Sequence, residues 1–458
     1  MADAETLCER AIVWARQGRY REAEAAYREA IRTDPGRLRA YLGLGLVLRR
    51  QRRTVEAEAV FKQAILLNPA GVSAHLELGG ALFEQARYAE AAAAFREAIR
   101  LRPDSPQASV SLGLALSRRG DYAGAESAFR DALALKPNDA TARANLATVL
   151  RRQRKVTAAE VVHREALARD TAPTTARRDL ADTLYEQARY AEAAAAYREA
   201  LVLTPSDAKT WRGLALSLER QGRLAEATSA YRDAIRLRPE DADLRERLGA
   251  VLRRRHRDVE AAAAFRESLR LRPDAARAHH HLAVTLERLG RYDDAAEAFR
   301  EAIRLRPSYL HAHLGLAATL RRQGRWAEEA TAYADALAVS PDDADLHSGR
   351  GLALGALGDY AEAAASFRRA LALRPDDADL HYELGVALGR QGRHAEAEVA
   401  LRSAIRLRPD LVKARANLAL GLGRQGKHLE AESTYREALA LRPNHATLRR
   451  GLGVALYW

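Results

Sequence analysis

Twelve prolines set the frame of this chain. They stand at 35, 69, 103, 137, 205, 239, 273, 307, 341, 375, 409 and 443, so every spacing is 34 or twice 34. The missing rung falls at Thr171, with Pro173 two residues beyond it. A length of 458 residues would ordinarily suggest about three globular domains. A period held over thirteen rungs instead demands a stack of small, equivalent units.

Counting each unit from 31 residues before its proline gives units at 4–37, 38–71 and onward to 412–445, and further columns keep the same beat. The eighth place is always Gly or Ala, from Ala11, Gly45 and Gly79 to Gly453. The eleventh is Trp14 once and Leu thereafter, from Leu48 to Leu456. The twentieth is Ala except at Glu329, and the twenty-seventh is Ala except at Ser268. The twenty-fourth is usually aromatic, as in Tyr27, Phe61, Phe95 and Phe129. Leu at places 7 and 11 shares one helix face at i, i+4 spacing. Ala at 20 and 27, with the aromatic at 24, marks one face of a second helix. Gly near place 15, as at Gly18, Gly120, Gly222 and Gly290, ends the first helix. The proline ends the second.

Composition agrees. The chain is 48% hydrophobic but only 6% aromatic, and Ala, Leu, Arg and Glu, all strong helix formers, dominate it. Each unit therefore reads as a helix–turn–helix hairpin that cannot bury its apolar face alone and must stack on its neighbours.

These residues resemble the tetratricopeptide repeat family, whose 34-residue pattern runs Leu-Gly, aromatic, Ala, Phe/Tyr, Ala, Pro. The resemblance covers 4–445 as thirteen tandem repeats, with an extra first helix at 446–458. It implies an all-α, right-handed α-solenoid superhelix. Place 11 departs from the pattern in carrying Leu where the family often has Tyr. The unit at 140–173 departs further, with His163 at the aromatic place and no proline in register. A longer period is also visible: Leu82–Phe95 recurs almost unchanged at Leu184–Tyr197, 102 residues on. Arg-rich turns repeat at the same interval, at 49–53, 151–155 and 253–257, which points to duplication of a three-unit block.

The resemblance also implies that first helices line a concave face where partner segments lie. Place 13 there is Arg in ten units: Arg16, Arg50, Arg118, Arg152, Arg220, Arg254, Arg288, Arg322, Arg390 and Arg424. Glu84, Glu186 and Ala356 interrupt the row. With a formal charge of +13, such a row would favour an acidic protein or peptide, a C-terminal carboxylate or a phosphorylated partner. Only six of the 74 basic residues are Lys, so a GC-rich genome offers a compositional explanation of the same arginines. Asn145 and Asn417 occupy place 6, but neighbouring units do not complete a carboxylate clamp.

Other chemistry is not supported. A histidine column at place 4 (His75, His279, His313, His347, His381) is spaced too widely for its members to share one metal ion. The run Gly421–His428 superficially matches a phosphate-binding loop but lacks the Ser/Thr and the preceding strand. A single cysteine, Cys8, excludes an internal disulfide. The expectation is a non-enzyme without cofactor. Nucleic acid is disfavoured because 61 acidic residues interleave with the basic ones and the few aromatics belong to the core. The acidic N-terminus and the absence of a long apolar run argue for a cytoplasmic protein away from membranes.

The ends carry a separate expectation. Leu452 and Leu456 on the last helix would face water, Tyr457 and Trp458 follow, and Trp14 lies on the first helix. Self-association through these residues is one reading, and a cut from a longer chain is the other. The leading function is a scaffold or adaptor holding a partner segment. A self-assembling rod and the recruitment arm of a multi-component system are the alternatives.

Overall fold

The computed structural model describes residues 3–168 and 175–457. The off-register rung at Thr171 and Pro173, and Trp458, lie outside the described residues. Those described hold 27 helices and no strand. First helices run from Ala4–Arg16 through Leu38–Arg50 to Val412–Arg424, and second helices from Tyr20–Thr33 to His428–Leu441. Ala446–Tyr457 follows as a further first helix. The chain is thus an all-α repeat solenoid, and it parts into two compact halves, Met1–Ala230 and Tyr231–Trp458.

Within each half, helices adjacent in sequence pack on one another, as Ala4–Arg16 does on Tyr20–Thr33, and several first helices of successive units also touch, as Ala4–Arg16 does Leu38–Arg50. The Ala columns at places 20 and 27 are buried throughout, and Ser268, the exception at place 27, donates its hydroxyl to the Ala242 carbonyl at 2.9 Å. Place 15 is left-handed in all thirteen units. Gly fills it eight times, while Arg52, Ala86, Arg154, Ala188 and His256 adopt φ of 57–64° there.

The ring at place 24 decides how closely the helices approach. A Cβ on Gly45, Gly79, Gly113, Gly249 or Gly351, all at place 8, would lie 2.3–2.8 Å from the Phe of the same unit. Where place 8 is Ala, the ring leans the other way. Tyr27, Tyr197, Phe299, Tyr333 and Tyr435 press on Gly43, Gly213, Gly315, Gly349 and Gly451, at place 6 of the next unit, at 2.3–2.5 Å from the notional Cβ. Gly385 serves Leu401 in the first way. Only His163 and Tyr231 lack such a glycine among the described residues.

Sequential units are also stapled at the turn. Glu24, buried on a second helix, accepts from Gln51 (3.0 Å) and Arg53 (2.8 Å) of the next unit. Glu58, Glu126, Glu160 and Glu398 repeat this with Gln85/Arg87, Gln153/Lys155, Gln187/Arg189 and Gln425/Lys427. The histidines at place 4 have a local task as well. Nε2–H of His75, His279, His313, His347 and His381 donates to the carbonyl of the preceding proline at 2.8–3.0 Å. Trp211 does the same from Nε1.

Two outcomes test this packing. Gly79→Ala should lower the hydrogen-exchange protection of Val72–Leu101 by about 2 kcal/mol, the scale of overpacking. Gly423→Ala, whose Cβ meets nothing within 4 Å, should lose none. Burial pushes the His163 imidazole below its ordinary pKa, and its Nε2 has no partner. The neutral ring is favoured in the fold, so its contribution is complete above about pH 6.5 and fades as the pH falls below that value. His163→Met should flatten this acid-side loss in Val156–Ala168 and add about 1 kcal/mol at neutral pH.

Candidate functional site

All ten arginines at place 13 are exposed, each at or beside the C-terminal end of a first helix, where a cation suits the helix dipole. The N-terminal half carries Arg16, Arg50, Arg118, Arg152 and Arg220, and the C-terminal half Arg254, Arg288, Arg322, Arg390 and Arg424. They are not equivalent. Arg16, Arg50, Arg118, Arg152, Arg390 and Arg424 make no ion pair among the described residues. Arg220 bonds to Tyr185, and Arg322 pairs with Glu287 at 3.2 Å. Arg288 is tied to Asp258 at 3.2 Å and to the His256 ring at 2.8 Å. Arg254 is also engaged.

Much of the charge on the second helices is paired internally, although Arg21, Arg32, Arg96, Arg266, Arg369 and Arg406 make no ion pair among the described residues. Arg at place 16 clasps Glu at place 19 of the same unit, as Arg87 does Glu90 and Arg189 does Glu192, holding those carboxyls below the usual range. Arg at place 25 then reaches the place-19 Glu of the next unit: Arg198–Glu226 at 3.1 Å, Arg232–Glu260 at 2.9 Å and Arg300–Glu328 at 2.8 Å. Such exposed pairs add little stability each, but they leave little net charge on that face.

Sequence reasoning missed the arginines one place earlier. Arg49 and Arg151 are half-buried between first helices. Arg49 bonds Glu77 and, at 2.6 Å, Glu84 of the next unit, while Arg151 bonds Glu186. Glu84 and Glu186, which interrupt the place-13 row, are therefore counter-ions. Arg321 has Gly349 and Ala356 at the corresponding places, and its carboxylate comes from its own second helix: Nε donates to Glu329 at 2.7 Å. That explains the one break in the place-20 alanine column. Glu329 is fully buried, and burial raises its pKa. The visible signal was the 102-residue spacing of Arg49, Arg151 and Arg253.

Of the terminal residues expected to face water, Leu452 is less open than the sequence suggested and Leu456 is exposed. Trp14 is half-buried with the Arg10 and Arg19 guanidinium groups at 4.9 and 5.6 Å from its ring centre. Leu452 is half-buried against the cluster of Ala419, Tyr435, Ala438 and Leu448. Leu456 is 55% and Tyr457 84% exposed. A groove of about 770 Å³ beside them is lined by Leu420, Arg424, Tyr435 and Val454. Among the described residues no helix is long and apolar enough to cross a membrane.

Removing the Arg321 side chain strands a buried carboxylate. Arg321→Leu should cost about 3 kcal/mol in denaturant unfolding of the C-terminal half, and adding Glu329→Ala should restore most of it. An unchanged midpoint in the single variant would show that Glu329 is solvated.

Models of the tetratricopeptide repeat match residues 8–65, 56–106, 110–176, 150–208, 178–242, 280–344, 348–411 and 417–457, and a second model of that description matches 240–308. No curated protein matches the chain. Among solved structures, the APC/C hetero-tetramer Cut9-Hcn1 is similar at 17% identity and TM-score 0.36, over 100% of this chain and 97% of that one. YrrB, a TPR protein with an unusual peptide-binding site, is similar at 20% identity and TM-score 0.37, over 41% of this chain and 97% of its own. Naa15/Naa10 bound to HypK-THB is similar at 16% identity and TM-score 0.37, over 99% and 79%. These structural likenesses are distant, whereas the family models tile the sequence from residue 8 to 457, and on that ground the chain belongs to the tetratricopeptide repeat family.

Proposed function

We propose that this protein is a non-catalytic scaffold that holds an extended or helical segment of an acidic partner protein along its first helices. Repeats of this family serve in general as protein–protein interaction scaffolds. The observation that carries the acidic preference is the contrast between the two kinds of helix. Most second-helix arginines at place 25 pair within or across units, whereas Arg16, Arg50, Arg118 and Arg152 in one half, and Arg390 and Arg424 in the other, recur at one place at first-helix ends without a counter-ion among the described residues. An exposed, unpaired guanidinium costs nothing to bring to a carboxylate beyond its own hydration and side-chain entropy, and its planar fork matches that group. Interleaved Arg–Glu pairs along the second helices make that face a poor track for a polyphosphate chain.

The test is a pull-down from host lysate with wild type beside Arg50/Arg152/Arg390/Arg424→Glu, at low and high salt. Partners captured by the wild type should be acidic, weaken as salt rises and be lost from the variant. Identical captures by both proteins would remove the arginines from the binding face.

A further inference from the structure

Four first helices carry Arg at place 12, and three of these arginines have a counter-ion: Arg49 from Glu77 and Glu84, Arg151 from Glu186, and Arg321 from Glu329. Arg253 is the fourth. It stands 102 residues after Arg151 and 204 after Arg49, half-buried as they are. The two positions that supply Glu77 and Glu84 to Arg49 are here His281 and Arg288. No ion pair or side-chain hydrogen bond of Arg253 occurs among the described residues. The carboxylate acting on it, Asp258, is bonded to Arg288 at 3.2 Å, and Glu246 nearby is bonded to Arg277 at 2.6 Å.

The surroundings hold several donors and a carboxylate, Asp258, whose Oδ1 is buried without a partner. Arg288 is fixed in place by the Arg253 carbonyl at 3.2 Å, the His256 ring and Asp258. Two further imidazoles, His280 and His281, have buried Nδ1 atoms without a partner. Burial and the Arg253 charge push His281 down to about 4, so it is neutral near pH 7 and still offers one N–H. Desolvation and the Arg288 charge lower Arg253 itself from the ordinary arginine value, the opposite of Arg49 and Arg151. A guanidinium left half-buried without an anion is costly unless something supplies one.

We propose that Arg253, with Arg288 and the imidazole N–H groups of His280 and His281, is a receptor for one carboxylate of an acidic partner segment, a Glu or Asp side chain taking the place that Glu77 takes at Arg49. The proposal rests on the groove reading above and gives it a specific anchor. A carboxylate is favoured over a phosphate because the equivalent arginines in the same array are each filled by one.

The probe is a fluorescently labelled ten-residue glutamate peptide, titrated into the full chain and read by anisotropy at low salt. Wild type should bind, and Arg253→Gln and His281→Glu should each bind about tenfold more weakly or worse. His281→Glu should also melt higher than wild type, because it supplies the counter-ion internally; this keeps a binding loss distinct from misfolding. Wild-type affinity in His281→Glu would overturn the site while leaving the groove reading intact. Absence of binding by the wild type would likewise overturn the site, and the lysate pull-down judges the groove reading separately. Tighter, Arg253-dependent binding of a ten-nucleotide uridylate than of the peptide would overturn the carboxylate assignment.

Discussion

The structure depends on the room that one ring demands. In eleven of thirteen units a glycine, on the unit's own first helix or on the next unit's, stands where a Cβ would collide with the side chain at place 24. The glycine need not be in the same unit. Phe61, Phe95, Phe129, Phe265 and Phe367 use their own place 8, whereas Tyr27, Tyr197, Tyr333 and Tyr435 use place 6 of the neighbour. Close packing admits either solution, and two units, those of His163 and Tyr231, have neither. At His163, where places 8 and 6 are Ala147 and Asp179, the ring is a smaller imidazole instead. The spacing of the helices thus follows from a ring–glycine pair whose members lie in one unit or in two.

Once that spacing is set, the charges sort themselves by helix. Second helices present Arg and Glu to one another at three-residue intervals within a unit and 28-residue intervals between units, so attraction there is satisfied without a partner. First helices end in arginines aligned with the helix dipole, and Glu84 and Glu186 near them belong to half-buried arginines one place earlier. A net charge of +13 is therefore not spread evenly. Part of its unpaired share recurs at the ends of first helices, which is why composition alone, with nearly as many acids as bases, is a poor guide to what this surface attracts.

The helix order, the hairpin unit and the buried columns were legible because they are periodic, and a 34-residue beat cannot be produced by unrelated packing. The exceptions were where legibility ended. Glu329, Glu84 and Glu186 stood out only as breaks in their columns, yet each is half of a pair whose other half is 8 or 35 residues away. The place-4 histidines showed only as a column spaced too widely to share a metal ion, and they are hydrogen-bond donors to a proline carbonyl six residues earlier. Single columns show what a position tolerates. Only the packed helices show which two columns answer each other.

A repeat protein acquires a distinctive site under these rules by losing something. Three copies of one turn stand 102 residues apart, each placing an arginine between first helices. Two keep carboxylates from the next unit and are electrically closed. In the third, His281 and Arg288 replace both, so the arginine remains where the fold put it while the carboxylate acting on it, Asp258, is bonded to Arg288. No new loop or cofactor was needed, because the scaffold already held the guanidinium in a half-buried slot shaped around a carboxylate. Two substitutions turn a structural ion pair into an open receptor, and they leave the ring–glycine contact of that unit, Phe265 on Gly249, untouched. Function can diverge along such an array at positions that answer only to charge, since those that answer to volume are held by every neighbour.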